Sequence, residues 1–339
     1  MKLRLLGFCV LLILQTVPVK SASAGEATAV FAQSPEVQAF ITEMVEQHQF
    51  KIDELTRLFQ QVQVKQSILN AMARPAEGKA WSEYRPLFIE PQRIAEGVRF
   101  WGAHEVALKH AEAQYGVPAS LIVAIIGIET FYGRNTGSYR VIDALSTLAF
   151  AYPKRASYFR KELEQYLLLS REVGVDPLSI KGSYAGAMGI CQFMPSSYRQ
   201  YGVDFDDDGH RDLWRNPVDA IGSVAQYLQG YGWEPSAPVV APVVSANDPG
   251  KNLANRGWTY RIPIKHWPAV GIITRAPPSD RDAMLFVLAG VNGAEYWLGL
   301  KNFYVITRYN HSFQYAMAAW QLSQALDQAR VISAPISTR

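Results

Sequence analysis

The stretch VPASLIVAIIGIETFYG, residues 117–133, decides the fold prediction. Pro118 suits the first turn of a helix, and the run after it is apolar on every face, which is typical of a helix buried on all sides. Glu129 ends this run and shares a face with Ile122 and Ile125, seven and four residues earlier. Buried glutamates are rare unless they are paired or functional. The stretch therefore predicts a central helix that carries one acidic side chain into the interior.

The apolar surroundings of Glu129 suggest a chemical role for it. Loss of solvent disfavours a carboxylate, so we expect a raised pKa and a carboxyl that stays protonated near neutral pH. A general acid needs that protonated state to transfer a proton to a leaving oxygen. A structural glutamate paired with Arg134 or Arg155, or bound to a backbone group, is the alternative from this residue alone.

Helical patterns dominate the chain outside one region. After residue 232 proline, valine, glycine and asparagine become frequent, and the run 260–264 is typical of an edge strand broken by proline. The apolar run 283–290 is ambiguous between strand and helix, and Ser312 is a good N-cap for a last helix. The predicted class is α+β, mainly α. The helical segments are predicted at 35–72, 91–115, 118–130 and 156–173.

The N-terminus has the features of a secretory signal peptide over residues 1–24. Lys2 and Arg4 precede a short apolar run, and Ala22-Ser23-Ala24 provides small residues for cleavage. We therefore expect a soluble, periplasmic mature protein without a stable membrane anchor, in which Cys191 has no intramolecular disulfide partner. The formal net charge of +3 is too weak to indicate nucleic acid binding, so no nucleic acid partner is predicted.

Two further stretches carry candidate site residues. GSYAGAMGICQFMPSSY, residues 182–198, is a glycine-rich loop that leads into a helix near Pro195, and its hydroxyl and amide groups suit a sugar. DFDDDGHRDLW, residues 204–214, matches the first half of an EF-hand calcium loop. Asp204, Asp206 and Asp208 stand at its first, third and fifth positions, and His210 would offer its backbone carbonyl. Arg215 departs from the pattern, because a bidentate glutamate belongs at its position.

The long motifs resemble one family. IETFYG followed by GSYAGAMGICQFMPSSY is similar to the lysozyme-like lytic transglycosylases, most of all to the lytic murein transglycosylase B family in its soluble periplasmic form. The likeness extends through ALSTLAFAYPKRASYF, DFDDDGHRDLW, DAIGSVAQYL and NFYVITRYNHSFQYAMAAWQL. It implies a lysozyme-like helical catalytic core over residues 80–232 and 301–331. An N-terminal helical region at 25–79 and a small β-rich insertion at 233–300 complete the expected organisation.

The resemblance also implies an activity and a set of residue roles. Family members cleave the β-1,4 bond between N-acetylmuramic acid and N-acetylglucosamine in peptidoglycan and form 1,6-anhydromuramoyl ends. One glutamate, here Glu129, acts first as acid and then as base. A glycosidase with two carboxylates needs a second acid about 5–9.5 Å away, and the sequence offers only Asp143, without support. The substrate-binding residues carried over are Tyr84, Arg155, Ser183, Gln192, Tyr309, Asn310 and Tyr315.

The resemblance assigns the last ligand of the acidic loop to Asp219, which completes an expected structural calcium site with Asp204, Asp206, Asp208 and His210. Two alternatives stay open for this loop: a solvated acidic turn without an ion, and a site that binds magnesium or sodium in place of calcium. Peptidoglycan strands are the expected partner, and proteins of cell-wall synthesis or remodelling are open as further partners. Two other functions also stay open: a hydrolytic muramidase on the same fold, and a non-catalytic peptidoglycan-binding protein.

Overall fold

The structure is a computed structural model that describes residues 31–73 and 79–333. The predicted signal peptide and the predicted linker at 74–78 lie outside the described residues. The chain divides into two compact units, Met1–Val62 and Gln63–Arg339.

The first unit contains two helices among its described residues, α1 (Pro35–His48) and α2 (Ile52–Phe59). Ser34 caps α1, since its hydroxyl accepts the Val37 N–H at 3.4 Å. Phe40 of α1 packs edge-on against Phe59 of α2, with ring centroids 5.8 Å apart. The helical pattern predicted for 35–72 is therefore interrupted between α1 and α2, and its last part belongs to the second unit.

The second unit contains the other described helices. The segment predicted as one helix over 91–115 is two, because the backbone leaves the helical region at His104 (φ −121°, ψ 26°). The other predicted segments agree with the structure to within a residue or two at each end. The helices are α3 (Gln66–Met72), α4 (Trp81–Tyr84), α5 (Pro91–Ala103), α6 (Glu105–Tyr115), α7 (Ala119–Thr130), α8 (Val141–Ala151), α9 (Ala156–Glu172), α10 (Pro195–Tyr201), α11 (Pro217–Gly230), α12 (Asp248–Lys251), α13 (Lys301–Tyr309) and α14 (Phe313–Ser333).

Helix α7 is the centre of this helical core. Every residue from Ala119 to Gly127 is buried, as the absence of a polar face predicts. Helices α5, α6, α11 and α14 pack around it, and α14 makes the most extensive contact. The mainly helical fold class is confirmed.

A five-stranded antiparallel sheet interrupts the helical sequence between α11 and α13. Its strands are β3 (Val240–Ala246), β4 (Ile262–Pro263), β5 (Ile272–Thr274), β6 (Asp282–Gly290) and β7 (Gly293–Gly299). They lie in the order β4-β6-β7-β3-β5, and the apolar run of ambiguous type is strand β6, which pairs with β7 from Met284 to Gly290. The run containing Ile262 and Pro263 forms the edge strand predicted for it. Trp267, Leu285 and Leu298 are at the centre of a separate small core. The short antiparallel pair β1 (Tyr139–Arg140) and β2 (Lys181–Gly182) precedes this sheet in the chain.

Across the described residues, no single helix combines the length and the apolar composition that crossing a membrane requires. The bent pair α6 and α7 meets the criterion by length and composition only.

Candidate active site

Glu129 lies in the last turn of α7, where the buried helix reaches a partly exposed surface. The phenol of Tyr315, on α14, donates a hydrogen bond of 2.5 Å to its Oε1 atom. Burial raises the pKa of Glu129 to about 7, and the Tyr315 hydrogen bond offsets part of this rise because it favours the ionised form. At neutral pH the carboxyl is therefore divided between the protonated and the ionised state.

An unusual backbone follows Glu129 directly. Phe131, Tyr132 and Gly133 are all in the left-handed region, with φ of 51°, 62° and 85°. Such a run needs support from its surroundings, since non-glycine residues rarely adopt this region. Thr130 provides it: its hydroxyl donates to the Ile190 carbonyl at 2.8 Å and accepts the Gly133 N–H at 2.9 Å. Thr130 thus ties the end of the acid-bearing helix to the glycine-rich loop.

Arg93 on α5 supports the same helix end from the other direction. Its guanidinium donates to the Gly127 carbonyl at 2.5 Å and to the Leu87 carbonyl at 3.3 Å. It also lies over the rings of Phe88 and Phe131, at 5.6 and 4.8 Å from their centroids. A cation at the C-terminal end of a helix is favourable for the helix dipole. Neither Arg93 nor Thr130 was among the residues predicted from the sequence.

A close approach explains why α7 carries a glycine beside its acid. A Cβ atom on Gly127 would lie 2.6 Å from the hydroxyl of Tyr132. That hydroxyl donates to the Arg93 carbonyl at 2.8 Å. Only glycine leaves the ring of Tyr132 room to fold back against the helix.

Tyr309 and Tyr315 form a pair of parallel rings beside the acid, with centroids 6.4 Å apart and planes at 9°. Tyr309 donates its hydroxyl to the Cys191 carbonyl at 2.5 Å, on the glycine-rich loop. Burial raises the pKa of both phenols well above 10, and the nearby Glu129 raises each further. Both tyrosines are therefore neutral hydrogen-bond donors at physiological pH.

Ser183 and Gln192 hold the glycine-rich loop in shape. The Ser183 hydroxyl accepts the Ala187 N–H at 3.0 Å. The Gln192 side-chain amide donates to the carbonyls of Thr136 and Gly189, at 3.0 and 2.9 Å, and its own backbone is left-handed with φ of 49°. These contacts fix both side chains, and their contact with a sugar stays a prediction.

Asn310 and Arg155 lie near the turn that leads into Tyr315. Asn310 accepts the Ser312 N–H at 3.1 Å and so shapes the turn between α13 and α14. Arg155 is exposed, stacks over Tyr158 at 4.5 Å, and is close enough to His311 to lower its pKa, after the larger effects of burial and Arg308. Their roles toward substrate also stay predictions.

Tyr84 is close enough to Tyr315 to raise the pKa of that phenol. It is only 3% exposed, and its ring packs between Trp81 and Phe88, with centroids 6.3 and 5.0 Å away. Most of the Tyr84 ring is therefore occupied by protein neighbours, and its contact with a sugar stays a prediction.

Asp143, the second acid that the sequence offered, is buried and bound by an arginine. It is 1% exposed, and its two oxygens accept hydrogen bonds of 2.8 Å each from the Arg140 guanidinium. One of these oxygens also accepts the Gln63 N–H at 2.9 Å. Asp143 is therefore committed to a structural ion pair.

The acidic loop brings three of its carboxylates together. Oxygens of Asp204, Asp206 and Asp219 lie within 4.8 Å of one another, and Asp219 is fully buried in the first turn of α11, which Asn216 caps. Asp208 stands outside this group, and its carboxylate accepts the His210 N–H at 2.8 Å. Three gathered carboxylates are the oxygen donors that a hard divalent cation prefers, so these residues fit calcium.

Comparison with known proteins agrees with the geometry. The family model "Transglycosylase SLT domain" matches residues 32–324. Escherichia coli membrane-bound lytic murein transglycosylase B is 47% identical over 312 residues, which cover 89% of this chain and 85% of that protein.

Two solved structures are similar over most of the chain. Soluble lytic transglycosylase SltB1 from Pseudomonas aeruginosa is 52% identical with a TM-score of 0.83, over 88% of this chain and 100% of that one. Escherichia coli Slt35 in complex with calcium is 47% identical with a TM-score of 0.82, over 89% and 95%. The chain therefore belongs to the transglycosylase SLT family, among the lytic murein transglycosylases that act on peptidoglycan.

Proposed function

We propose that this lytic transglycosylase uses Glu129 as its single acid and base to cleave the β-1,4 bond between N-acetylmuramic acid and N-acetylglucosamine. The observation that carries this proposal is the position of Glu129. Its carboxyl group is at the end of a buried helix, with a pKa of about 7 and a hydrogen bond from Tyr315. Such a group is present in both protonation states at neutral pH, which suits successive proton donation and acceptance.

In the first step, protonated Glu129 donates its proton to the glycosidic oxygen. The bond between the muramoyl anomeric carbon and that oxygen breaks, and N-acetylglucosamine leaves with a free 4-hydroxyl. Glu129 is now a carboxylate, and the Tyr315 phenol is placed to stabilise it, because a hydrogen bond to an ionised oxygen is stronger than one to a neutral oxygen.

In the second step, the muramoyl 6-hydroxyl oxygen attacks the anomeric carbon, and the Glu129 carboxylate takes the hydroxyl proton. The product has a 1,6-anhydro ring, and the acid is restored. The ion pairing of Asp143 with Arg140 supports a mechanism with one carboxylate. A more distant relative also supports it: Pseudomonas aeruginosa SltB3, 32% identical with a TM-score of 0.75, was solved in complex with NAG-anhNAM-pentapeptide.

The discriminating experiment is mass spectrometry of the muropeptides that the mature chain releases from purified sacculi. Products lighter by one water than the reducing muropeptides would carry 1,6-anhydro ends, as we expect. Reducing ends would mean that water attacks, as in a hydrolytic muramidase, and would contradict the second step. If the protein bound the sacculi but released no products, the remaining interpretation would be a non-catalytic peptidoglycan-binding protein.

We also propose that calcium binds Asp204, Asp206 and Asp219, with Asp208 and the His210 carbonyl closing the loop after small adjustments. The grouping of three carboxylates within 4.8 Å supports this, and so does the calcium complex of Slt35. The ion would neutralise the gathered negative charge and fix the start of α11. A structural ion of this kind takes no part in the bond-breaking steps.

The periplasm is the proposed compartment. Its support is the predicted signal peptide and the substrate, which lies outside the inner membrane. The relatives differ on this point, because the Escherichia coli protein is membrane-bound whereas SltB1 is soluble. N-terminal sequencing of the protein recovered from a periplasmic extract would test both the compartment and cleavage after residue 24. The predicted domain limits, and contacts with proteins of cell-wall synthesis or remodelling, also stay proposals.

A further inference from the structure

Glu162 of α9 is a buried acidic side chain that the proposed mechanism does not use. It is 5% exposed, although glutamates are rarely buried unless they are paired or functional. Both of its oxygens accept hydrogen bonds from one residue, Ser196: Oε2 from the backbone N–H at 3.0 Å and Oε1 from the hydroxyl at 2.7 Å. Ser196 is 34 positions away, in the first turn of α10. Glu162 therefore joins α9 to the start of α10.

Helix α10 starts without a side-chain cap of its own. Its N-cap residue, Met194, has no side-chain oxygen that could accept a backbone N–H, and Pro195 at its first position has no N–H to donate. The Ser196 N–H is therefore the first backbone donor of the helix that needs an acceptor. Glu162 provides this acceptor from another helix, in the place of a local N-cap side chain. The carboxylate thus fixes the residue at which α10 begins.

The start of α10 is also the end of the glycine-rich loop, in which Gln192 lies. The Gln192 backbone is left-handed, and a non-glycine residue keeps this conformation only when its surroundings enforce it. On one side of Gln192, the Ile190 N–H donates to the Leu213 carbonyl at 2.8 Å. On the other side, Glu162 holds Ser196. The two anchors enclose Gln192 and restrict the movement of its backbone.

Phe193 lies between the two anchors and contacts the tyrosines beside the acid. Its ring is 2% exposed and packs against the ring of Tyr309, with centroids 5.7 Å apart. Tyr309 is in turn parallel to Tyr315, the residue that binds Glu129. A shift at the start of α10 would therefore displace Gln192 and Phe193 first, whereas Glu129 is held by its own helix.

We propose that Glu162 is a positioning residue for the transglycosylase reaction. Its carboxylate fixes the start of α10 and thereby holds Gln192 in the conformation that binds the glycan. The proposal rests on the proposed function, and on the predicted contact between Gln192 and the sugar. Because Glu162 is buried against Ser196, it acts through the loop and not by contact with the substrate. Its loss should weaken glycan binding and leave the proton transfers of Glu129 largely intact.

A second glutamate of α9 provides a matched control. Glu172 is the last residue of α9, and its Oε1 atom accepts hydrogen bonds of 3.0 and 2.6 Å from the guanidinium of Arg199, in the last turn of α10. Both glutamates therefore bind α9 to α10, but only Glu162 does so at the end that joins the glycine-rich loop. If Glu162 had a merely structural role, its loss would have the same consequences as the loss of Glu172.

The test measures kcat and KM of the mature chain on purified glycan strands. Glu162→Ala removes both hydrogen bonds to Ser196, so it should raise KM by about 3- to 10-fold and change kcat by less than about 2-fold. Glu162→Gln should keep a KM within about 2-fold of the wild type, because its amide can accept the Ser196 N–H and donate to the hydroxyl. Glu172→Ala should keep the wild-type KM. An unchanged KM in Glu162→Ala, an equal rise in Glu172→Ala, or no rescue by glutamine would overturn the proposal.

Ser196→Ala covers the case in which Glu162→Ala does not fold. Ser196 is only partly buried, and this variant removes the hydrogen bond from the hydroxyl while it keeps the one from the backbone. Its KM should rise by about 2- to 3-fold. An unchanged KM in Ser196→Ala would then overturn the proposal.

Hydrogen exchange separates this proposal from the proposed function, because it does not depend on turnover. The Gln192 and Phe193 N–H groups donate to the Gly189 and Met188 carbonyls, at 3.2 and 3.0 Å. Their exchange should be at least about 5-fold faster in Glu162→Ala, or in Ser196→Ala where that variant replaces it, and unchanged in Glu172→Ala. Wild-type exchange at both amides would overturn the role of Glu162. Reducing ends or no products from the wild type would instead contradict the proposed function.

Discussion

Glu129 and Asp219 are both acidic side chains that helices of one core hold, yet their surroundings differ. Asp219 is fully buried, and its two oxygens accept the N–H groups of Phe205 and Asp212, each at 2.8 Å. Two further carboxylates lie within 4.8 Å of it. Glu129 has apolar neighbours on its helix and, among the described residues, one hydrogen-bond partner, the phenol of Tyr315.

These two environments suit an acidic side chain to two different roles. Burial and the two neighbouring carboxylates raise the pKa of Asp219, whereas its backbone donors lower it, so the gathered negative charge needs a cation to balance it. Desolvation with a single neutral donor favours a group that gains and loses a proton near pH 7. We therefore expect chemistry to depend on Glu129 and stability to depend on the acidic loop.

The largest expected effect is on turnover by Glu129→Gln. Glutamine keeps the size of the side chain and can still accept the Tyr315 hydrogen bond, but it cannot exchange a proton. Because one residue serves as both acid and base, release of anhydromuropeptides should fall by at least about 10³-fold. Sedimentation with sacculi and circular dichroism should show that glycan binding and fold are kept. A rate near wild type would remove Glu129 from its proposed role.

A smaller effect is expected for Tyr315→Phe, which removes the hydrogen bond to Glu129 and keeps the ring. Since that bond lowers the pKa of Glu129, its loss should raise the pKa. The decline of kcat at alkaline pH should move to higher pH, and kcat at its maximum should fall by about 10-fold. Tyr309→Phe is the control, because the Tyr309 hydroxyl binds the Cys191 carbonyl instead. A downward shift in Tyr315→Phe would contradict the assigned hydrogen bond.

The sequence was sufficient to predict a buried helix that ends in an acid, whereas the catalytic role of that acid came from the family resemblance and stays a prediction. Nine consecutive buried residues leave α7 no polar face, so its position and the raised pKa of Glu129 follow from the apolar pattern alone. Tyr315 was identified as a site residue only through the family resemblance, because no local sequence pattern links it to Glu129, which is 186 positions away. Its hydrogen bond to Glu129 needed the structure.

Other parts of the site were beyond local sequence patterns. Arg93 donates a hydrogen bond to the carbonyl of Gly127, 34 positions away. The sequence around Arg93 contains no pattern that predicts this contact. Thr130 follows the acid directly, and its position at a helix end could have suggested a hydroxyl bound to backbone. The break at His104 was missed because both halves of 91–115 keep a helical pattern, and Gly102 lies inside the last turn of α5 rather than at the break.

The acidic loop is expected to show its effect in stability. Chelation of bound divalent ions should lower the melting temperature by roughly 5 °C, and added calcium should restore it. Asp219→Asn should remove this calcium response, whereas Asp207→Asn should keep it, because Asp207 is exposed and outside the group of three. At temperatures where Asp219→Asn is folded, its turnover should stay near wild type. If Asp219→Asn lost as much turnover as Glu129→Gln, the assignment of a structural role to Asp219 and a catalytic role to Glu129 would be wrong.

The smallest effect is a pH-dependent gain in stability for Glu129→Gln. Burial raises the pKa of Glu129 from 4.5 to about 7, so between these values the unfolded chain releases the proton that the folded protein keeps. The wild type therefore loses stability as the pH rises from 4.5 to 7, and the glutamine variant does not. Its melting temperature should exceed that of the wild type by about 2–4 °C at pH 8, and the difference should vanish near pH 4. Glu46→Gln, at an exposed position of α1, is the control for loss of a carboxylate. A variant less stable than the wild type at pH 8 would mean that the Glu129 carboxylate is itself stabilising, as it is for an acid in an ion pair.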